Sequence, residues 1–179
     1  MRKLRMMPIA ITVVISAAAL FGGWMLYKQV AVASPLTDAV TQVPGIVKAE
    51  KPVIEQDKVR LSVELSDEAS LKDVYASVTK QGKAIAGKRN LDIAIQNEED
   101  ALLNSIWQTA LFDIAEAMET KSYSDIPKTM ERVASEHKDV VTVTEMDESN
   151  VYVTLRNGEG AKYIVLPRTP NHMGVWPNA

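Results

Sequence analysis

The hydrophobic residues follow three rhythms along the chain, and each predicts a different kind of element. From Met6 to Leu26 the sequence reads MMPIAITVVISAAALFGGWML without a charge. A helix needs about 20 apolar residues to cross a bilayer, and no other segment approaches that length. From Lys58 to Leu65 the rhythm is alternation, with Val59, Leu61, Val63 and Leu65 on one side and Arg60, Ser62 and Glu64 on the other. A period of two predicts a half-buried strand. From Ser70 the spacing turns helical: Leu71, Val74, Tyr75 and Val78 stand at i, i+3, i+4 and i+7, and Ile85 extends the stripe.

Shorter segments fill in a first unit. Leu36, Val40 and Val43 share a helical face between Ser34 or Thr37 and the Pro44-Gly45 stop. IVKAEKPVIEQ reads as an irregular strand, Gln56-Asp57 as a turn, and LDIAIQ as a further strand. Ser70 and Asp73 resemble a capping box with Asp in place of Glu. Helix, strand, strand, helix, strand predicts a three-stranded sheet with two helices on one face.

A second unit opens with Glu98, Glu99 and Asp100, favourable at the positive end of a helix dipole. Leu103, Ile106, Trp107, Ala110, Leu111, Ile114 and Met118 form its broad apolar face. SYSDIPKTMERVASEHKD predicts a second helix, with Pro127 in its first turn and Met130 and Val133 as its stripe. VVTVTEM, VYVTLR and KYIVLP, separated by turns at Asp147–Asn150 and Asn157–Gly160, predict a meander. On this reading Trp107 is core. Trp107→Ala should cost about 3–5 kcal/mol, and charge reversal at Glu116, on the opposite face, about 0.5 kcal/mol at most.

The expected fold class is α+β. Residues 1–5 form a basic cytoplasmic segment, 6–27 a transmembrane helix acting as an uncleaved signal anchor, and 28–34 a juxtamembrane linker. Residues 35–96 form an αββαβ module, 97–168 an ααβββ unit with a three-stranded antiparallel meander, and 169–179 a C-terminal tail.

Charge placement adds an orientation. Arg2, Lys3 and Arg5 precede the apolar run, whereas Lys28 alone lies just after it. Positive flanks are retained in the cytoplasm, so the region after Lys28 is expected outside, with Trp24 and Tyr27 at the outer headgroup level. Pro8 lies near the helix start, where a missing N–H costs little. The competing reading is a cleaved signal peptide ending in AVA, Ala31–Ala33, before Ser34. The apolar run exceeds the roughly 7–15 residues of a typical signal segment, and both readings export the remainder. The chain has no cysteine, which excludes a lipobox, a disulfide framework and a thiol nucleophile. All acidic residues lie beyond position 37. No clustered basic patch suggests a nucleic acid as partner.

One stretch looks like chemistry. GKAIAGKR, Gly82–Arg89, begins like a phosphate-binding loop. Such a loop needs Ser or Thr after the Lys for magnesium, and here Arg89 stands there. It must also open a helix, whereas Gly82 lies late in one. A helix end fits better, with Gly87 as a left-handed stop and Lys83, Lys88 and Arg89 near the negative dipole end. No nucleotide is expected. His137 and His172 are the only histidines, and His137 at a helix end reads as structural. HExxH is absent, as are working GxSxG and SxxK sets, and Ser70 in SLK lacks the spacing. Asp113, Glu116 and Glu119 read as a wet helix face, and Trp107 as core rather than a sugar platform. No catalytic, cofactor or metal residue is assigned. Trp176, in a Pro-flanked tail, is the candidate partner contact.

The stretch LTDAVTQVPGIVKAEKPVIEQDKVRLSVEL and the helix from Ser70 resemble the αββαβ modules of the BON and ring-building types, which occur in cell-envelope, sporulation-channel and secretion-ring proteins. The resemblance covers residues 35–96. It implies a non-enzymatic interaction module beside a membrane, sometimes self-associating. The expected function is thus a membrane-anchored extracytoplasmic protein with a non-catalytic interaction domain of the cell envelope. It would contact the lipid bilayer through residues 6–27 and other envelope proteins or itself beyond them. The alternative is a secreted or anchored ligand-binding domain or enzyme acting on cell-wall material.

Overall fold

A computed structural model describes residues 6–28, 30, 33–98, 100–158 and 160–169. Trp176, His172 and Glu99 lie outside the described residues. The elements in order are α1 (Met6–Lys28), α2 (Ser34–Thr41), β1 (Ile46–Ala49), β2 (Val53–Ile54), β3 (Lys58–Leu65), α3 (Leu71–Ala86), β4 (Asn90–Ile95), α4 (Ala101–Glu119), α5 (Asp125–Ala134), β5 (Val140–Met146), β6 (Asn150–Asn157) and β7 (Gly160–Pro167). The fold is α+β.

The alternating segment is the centre of the first sheet. Val59, Leu61, Val63 and Leu65 of β3 are buried on one side. Along one edge, β1 and β2 pair antiparallel with β3, from Ile46↔Leu65 to Ile54↔Val59. They are one irregular strand, interrupted where the Glu50 N–H still donates to the Ser62 carbonyl at 2.8 Å. Pro52, which has no N–H to donate, is tolerated on such an edge. Along the other edge β4 runs parallel to β3, from Lys58↔Asn90 to Val63↔Ile95. Leu36 and Val40 of α2 and Leu71, Val74 and Val78 of α3 pack on the buried side of β3, the expected pair of helices on one face.

Both glycines of the loop-like stretch have structural work. A Cβ on Gly82 would come within 2.5 Å of Leu91 Cδ2, so Gly82 lets α3 lie close against β4. Gly87 ends α3 at φ 67° and ψ −119°, a positive-φ geometry open to glycine but not the left-handed stop the sequence suggested. At the other end, Ser70 Oγ accepts from the Asp73 N–H at 3.2 Å.

In the second unit, β5, β6 and β7 form the expected meander, in register from Val140↔Asn157 to Met146↔Val151 and from Asn150↔Pro167 to Asn157↔Gly160. Asp100 caps α4 by accepting from the Leu102 and Leu103 N–H groups at 2.7 and 3.0 Å. Ile126, Met130 and Val133 of α5 join Leu103, Ile106, Ala110 and Ile114 of α4 over Val151, Val153 and Leu155.

The apolar face of α4 is narrower than its sequence suggests. Trp107 and Met118 are only partly buried, and Leu111 is 41% and Phe112 80% exposed. Each residue turns about 100° around a helix. A stripe centred on Ala110 therefore leaves Leu111 beyond the arc that the sheet and α5 cover. Trp107→Ala is accordingly expected to cost about 1–3 kcal/mol, below the loss for a sealed core residue. Chemical denaturation of the full chain in mild detergent, against wild type, measures this. A loss above that range would mean that the groove beside Trp107 is closed in solution.

The second sheet is covered on both sides. Residues Val151 to Leu155 of β6 are buried in succession. Val151, Val153 and Leu155 face the helices, while Tyr152, with Ala161 and Tyr163 of β7, joins the core of the first unit. Apolar packing thus crosses the division expected near Gln96.

Helix α1 spans 23 residues, and its described side chains from Ala10 to Trp24 are exposed except Ala17. Among the described residues no helix is long and apolar enough to cross a membrane. The crossing expected over residues 6–27 is thus carried by the sequence alone.

Candidate functional site

Polar groups seal the seam between the units. The Tyr75 and Tyr152 rings meet at 5.6 Å, tilted by 60°. Tyr152 donates its hydroxyl proton to Asp147 Oδ2 at 2.7 Å and accepts from Asn150 Nδ2 at 3.1 Å. Ser70 Oγ lies 3.1 Å from each oxygen of Glu145, and Lys72 Nζ lies 3.6 Å from Oε1. Arg156 donates to the Ala69 carbonyl at 3.2 Å.

These contacts set the protonation states. Burial, with the Asp147 carboxylate nearby, pushes the Tyr152 phenol far up; burial and the charges of Asp92 and Asp147 raise Tyr75. Both phenols stay protonated at neutral pH, and Tyr152 uses its proton as the donor to Asp147. Burial opposes ionisation of Asp147, but the Tyr152 hydroxyl, the Asn150 and Ser149 N–H groups and Arg168 outweigh it and lower the pKa. A carboxyl depressed in the folded state stabilises above its unfolded pKa of about 3.9, and that contribution is lost as pH falls through the folded value. Asp147→Asn should therefore be less stable than wild type at pH 7, with the gap closing on acidification to about pH 2. Urea midpoints across that range test this, and a gap independent of pH would refute it.

Beside the seam, Tyr75, Thr79, Lys80, Lys83, Asp147 and Tyr152 line a cleft of about 470 Å³. It holds one carboxylate, and neither Trp107 nor His137 lies in it. Trp107 instead borders an apolar groove of about 340 Å³ with Leu111, Met118 and Leu166, where Glu119 is the one carboxylate. Asp113 is paired with Arg132 at 2.6 Å, and Glu116 is exposed. His137 sits past α5, its N–H donating to the Ala134 carbonyl at 2.8 Å. Among the described residues no cluster of His, Asp and Glu is placed to hold a metal ion.

The sheet edges differ more than the cavities. On β7, Asn97 accepts from the Tyr163 N–H at 2.6 Å and donates to its carbonyl at 3.4 Å, and the Glu98 N–H donates to the Ala161 carbonyl at 3.3 Å. The chain entering α4 therefore closes that edge. The edge formed by β1 and β2 is broken at Pro52 and flanked by Lys48 and Lys51. On β4, Asp92 pairs with Arg60 of the neighbouring strand β3 at 3.1 Å, a bond that does not occupy the outer backbone of β4. The edge of β5 is the longer of these two, and its one charged side chain, Glu145, is held by Ser70 and Lys72. It runs seven residues, VVTVTEM, without Pro, Gly or Lys. Among the described residues the backbone bond reaching it from outside β6 is Val140 N–H to His137 carbonyl. Val141 is 61% and Val143 40% exposed. The alternation of VVTVTEM marks a strand, but only the pairing order shows which edge stays free. Against this geometry, no family model matches the chain, and neither does any curated protein or solved structure.

Proposed function

We propose that this chain is a single-pass membrane protein whose extracytoplasmic region is a non-catalytic interaction module of the cell envelope. The observation that carries the reading is the open β5 edge. Exposed flat edges are templates for strand pairing, and proteins ordinarily blunt them; in this molecule the β7 edge is closed and the β5 edge is not. An added strand supplies main-chain hydrogen bonds, with side-chain pockets adding specificity.

The anchor follows from the physics of α1. A helix apolar on every side is stable only inside protein or lipid, and the described side chains of α1 are almost all exposed. In the sequence the uncharged run from Met6 to Leu26 has 21 residues, about 32 Å as a helix against a hydrocarbon core of about 30 Å. The excess of Arg and Lys before the run orients it with the following region outside. The similarity of residues 35–96 to BON and ring-building modules supports the same reading through the observed element order. A cell-wall enzyme or ligand-binding domain would want several carboxylates gathered with Trp107 or Trp176, and the groove beside Trp107 holds Glu119 alone. A photo-crosslinking side chain at position 141 or 143 in intact membranes tests the reading. Specific adducts at these positions and not at Glu116 are expected, and no adduct at either would overturn it.

A further inference from the structure

Resting on the reading of this region as an interaction module, we propose that the partner at β5 is a second copy of this chain, joined β5 to β5 in an antiparallel pair centred on Val143. This register overlaps the whole strand, Val140–Met146. Val140 meets Met146, Thr142 meets Thr144, and Val143 meets its equivalent, so apolar stands against apolar and hydroxyl against hydroxyl. Val141 faces Glu145, whose carboxylate is already held by Ser70 and Lys72. Just beyond the strand, Lys138 of each copy comes opposite Glu148 of the other. Asp139 falls opposite Asp147, the one like-charged pair. The Asp147 carboxylate is already engaged by Tyr152, Ser149 and Asn150.

Closure favours a pair over a chain of copies. Joining two β5 strands makes one continuous sheet of six strands, three from each copy. Its outer strands are then both β7, closed by Asn97 and Glu98. Asn97 and Glu98 occupy the Ala161–Tyr163 stretch of each outer strand, and a two-fold interface stops at two.

The absence of cysteine makes the register directly testable. Directly opposed strand residues have Cβ atoms about 4.5–5.5 Å apart, compatible with a disulfide. The two Val141 residues would be offset by four positions, roughly 13 Å, out of reach. Full-length Val143→Cys in phospholipid vesicles under mild oxidation is expected to form mainly disulfide dimer. Val141→Cys is expected to form several-fold less, although Val141 is the more exposed. Mixed Thr142→Cys and Thr144→Cys chains should link to each other and not to themselves, which keeps the test decisive if Val143→Cys folds poorly. Equal yields at 141 and 143 would indicate random collision and overturn the proposal, as would an absence of dimer in all these variants. If a photo-crosslinker at 143 joins a different protein in intact membranes, self-pairing falls and the interaction reading stands. If crosslinkers at 141 and 143 join neither a copy nor another protein, both fall.

Discussion

Replacing Tyr152 by alanine is expected to destabilise the fold by about 3–5 kcal/mol, the loss typical when a large buried aromatic is removed and a cavity left. Tyr152 is fully buried on the first-unit side of β6, packs on Tyr75 and donates to Asp147. Its ring and hydroxyl belong to different interactions, so two variants separate them. Tyr152→Phe keeps the ring and removes a hydrogen bond to a charged acceptor, which costs about 1.5–3 kcal/mol. At roughly 2–4 °C per kcal/mol for a chain of this size, thermal unfolding in mild detergent should rank alanine well below phenylalanine, and phenylalanine below wild type. Charge reversal at Glu116, an exposed residue of α4, should stay within about 0.5 kcal/mol. A near-neutral Tyr152→Ala would mean that the two units do not share their core in solution.

The double variant Val14→Arg with Ala18→Arg is expected to release the chain from the membrane. Each arginine near the middle of a spanning helix costs about 2.5–3.5 kcal/mol on the insertion scale, so the pair costs about 5–7 kcal/mol. The two positions lie one helical turn apart, in the middle of the uncharged run and exposed on α1. Val14→Leu with Ala18→Leu should leave partitioning unchanged. Carbonate extraction of membranes, followed by quantitation of pellet and supernatant, reads the result. Retention of the arginine variant in the pellet at the wild-type level would sink the anchor, and the exposed face of α1 would then need a protein partner.

Element identity was legible from local pattern because local pattern is what determines it. The alternation from Val59 to Leu65 specified a strand with one buried side, and β3 is that strand. Ser70 marked the start of α3, and the apolar spacing after it marked the buried face. Even the break in the first strand was visible in KAEKPVIEQ, since Pro52 has no N–H for a ladder. Distances along the chain in these cases are a few residues, within the range over which a helix or strand repeats.

What a face packs against is a different matter. The sequence offered Trp107 and Leu111 as one broad surface, and only the positions of α5 and the second sheet decided that Leu111 lies outside it. The consecutive buried residues from Val151 to Leu155 were present as VYVTL, a run with no alternation, which is the mark of a strand covered on both sides. The residues that cover its second side stand far away in the chain, at Tyr75 and the start of α3. The free edge was settled at the same level: β5 and β7 both read as strands, and Asn97, 66 positions before Tyr163, closes one and leaves the other. Period and capping act between neighbours in the chain and so can be read in it. Burial on a second face and closure of an edge depend on contacts between distant segments, which exist only once the chain has folded.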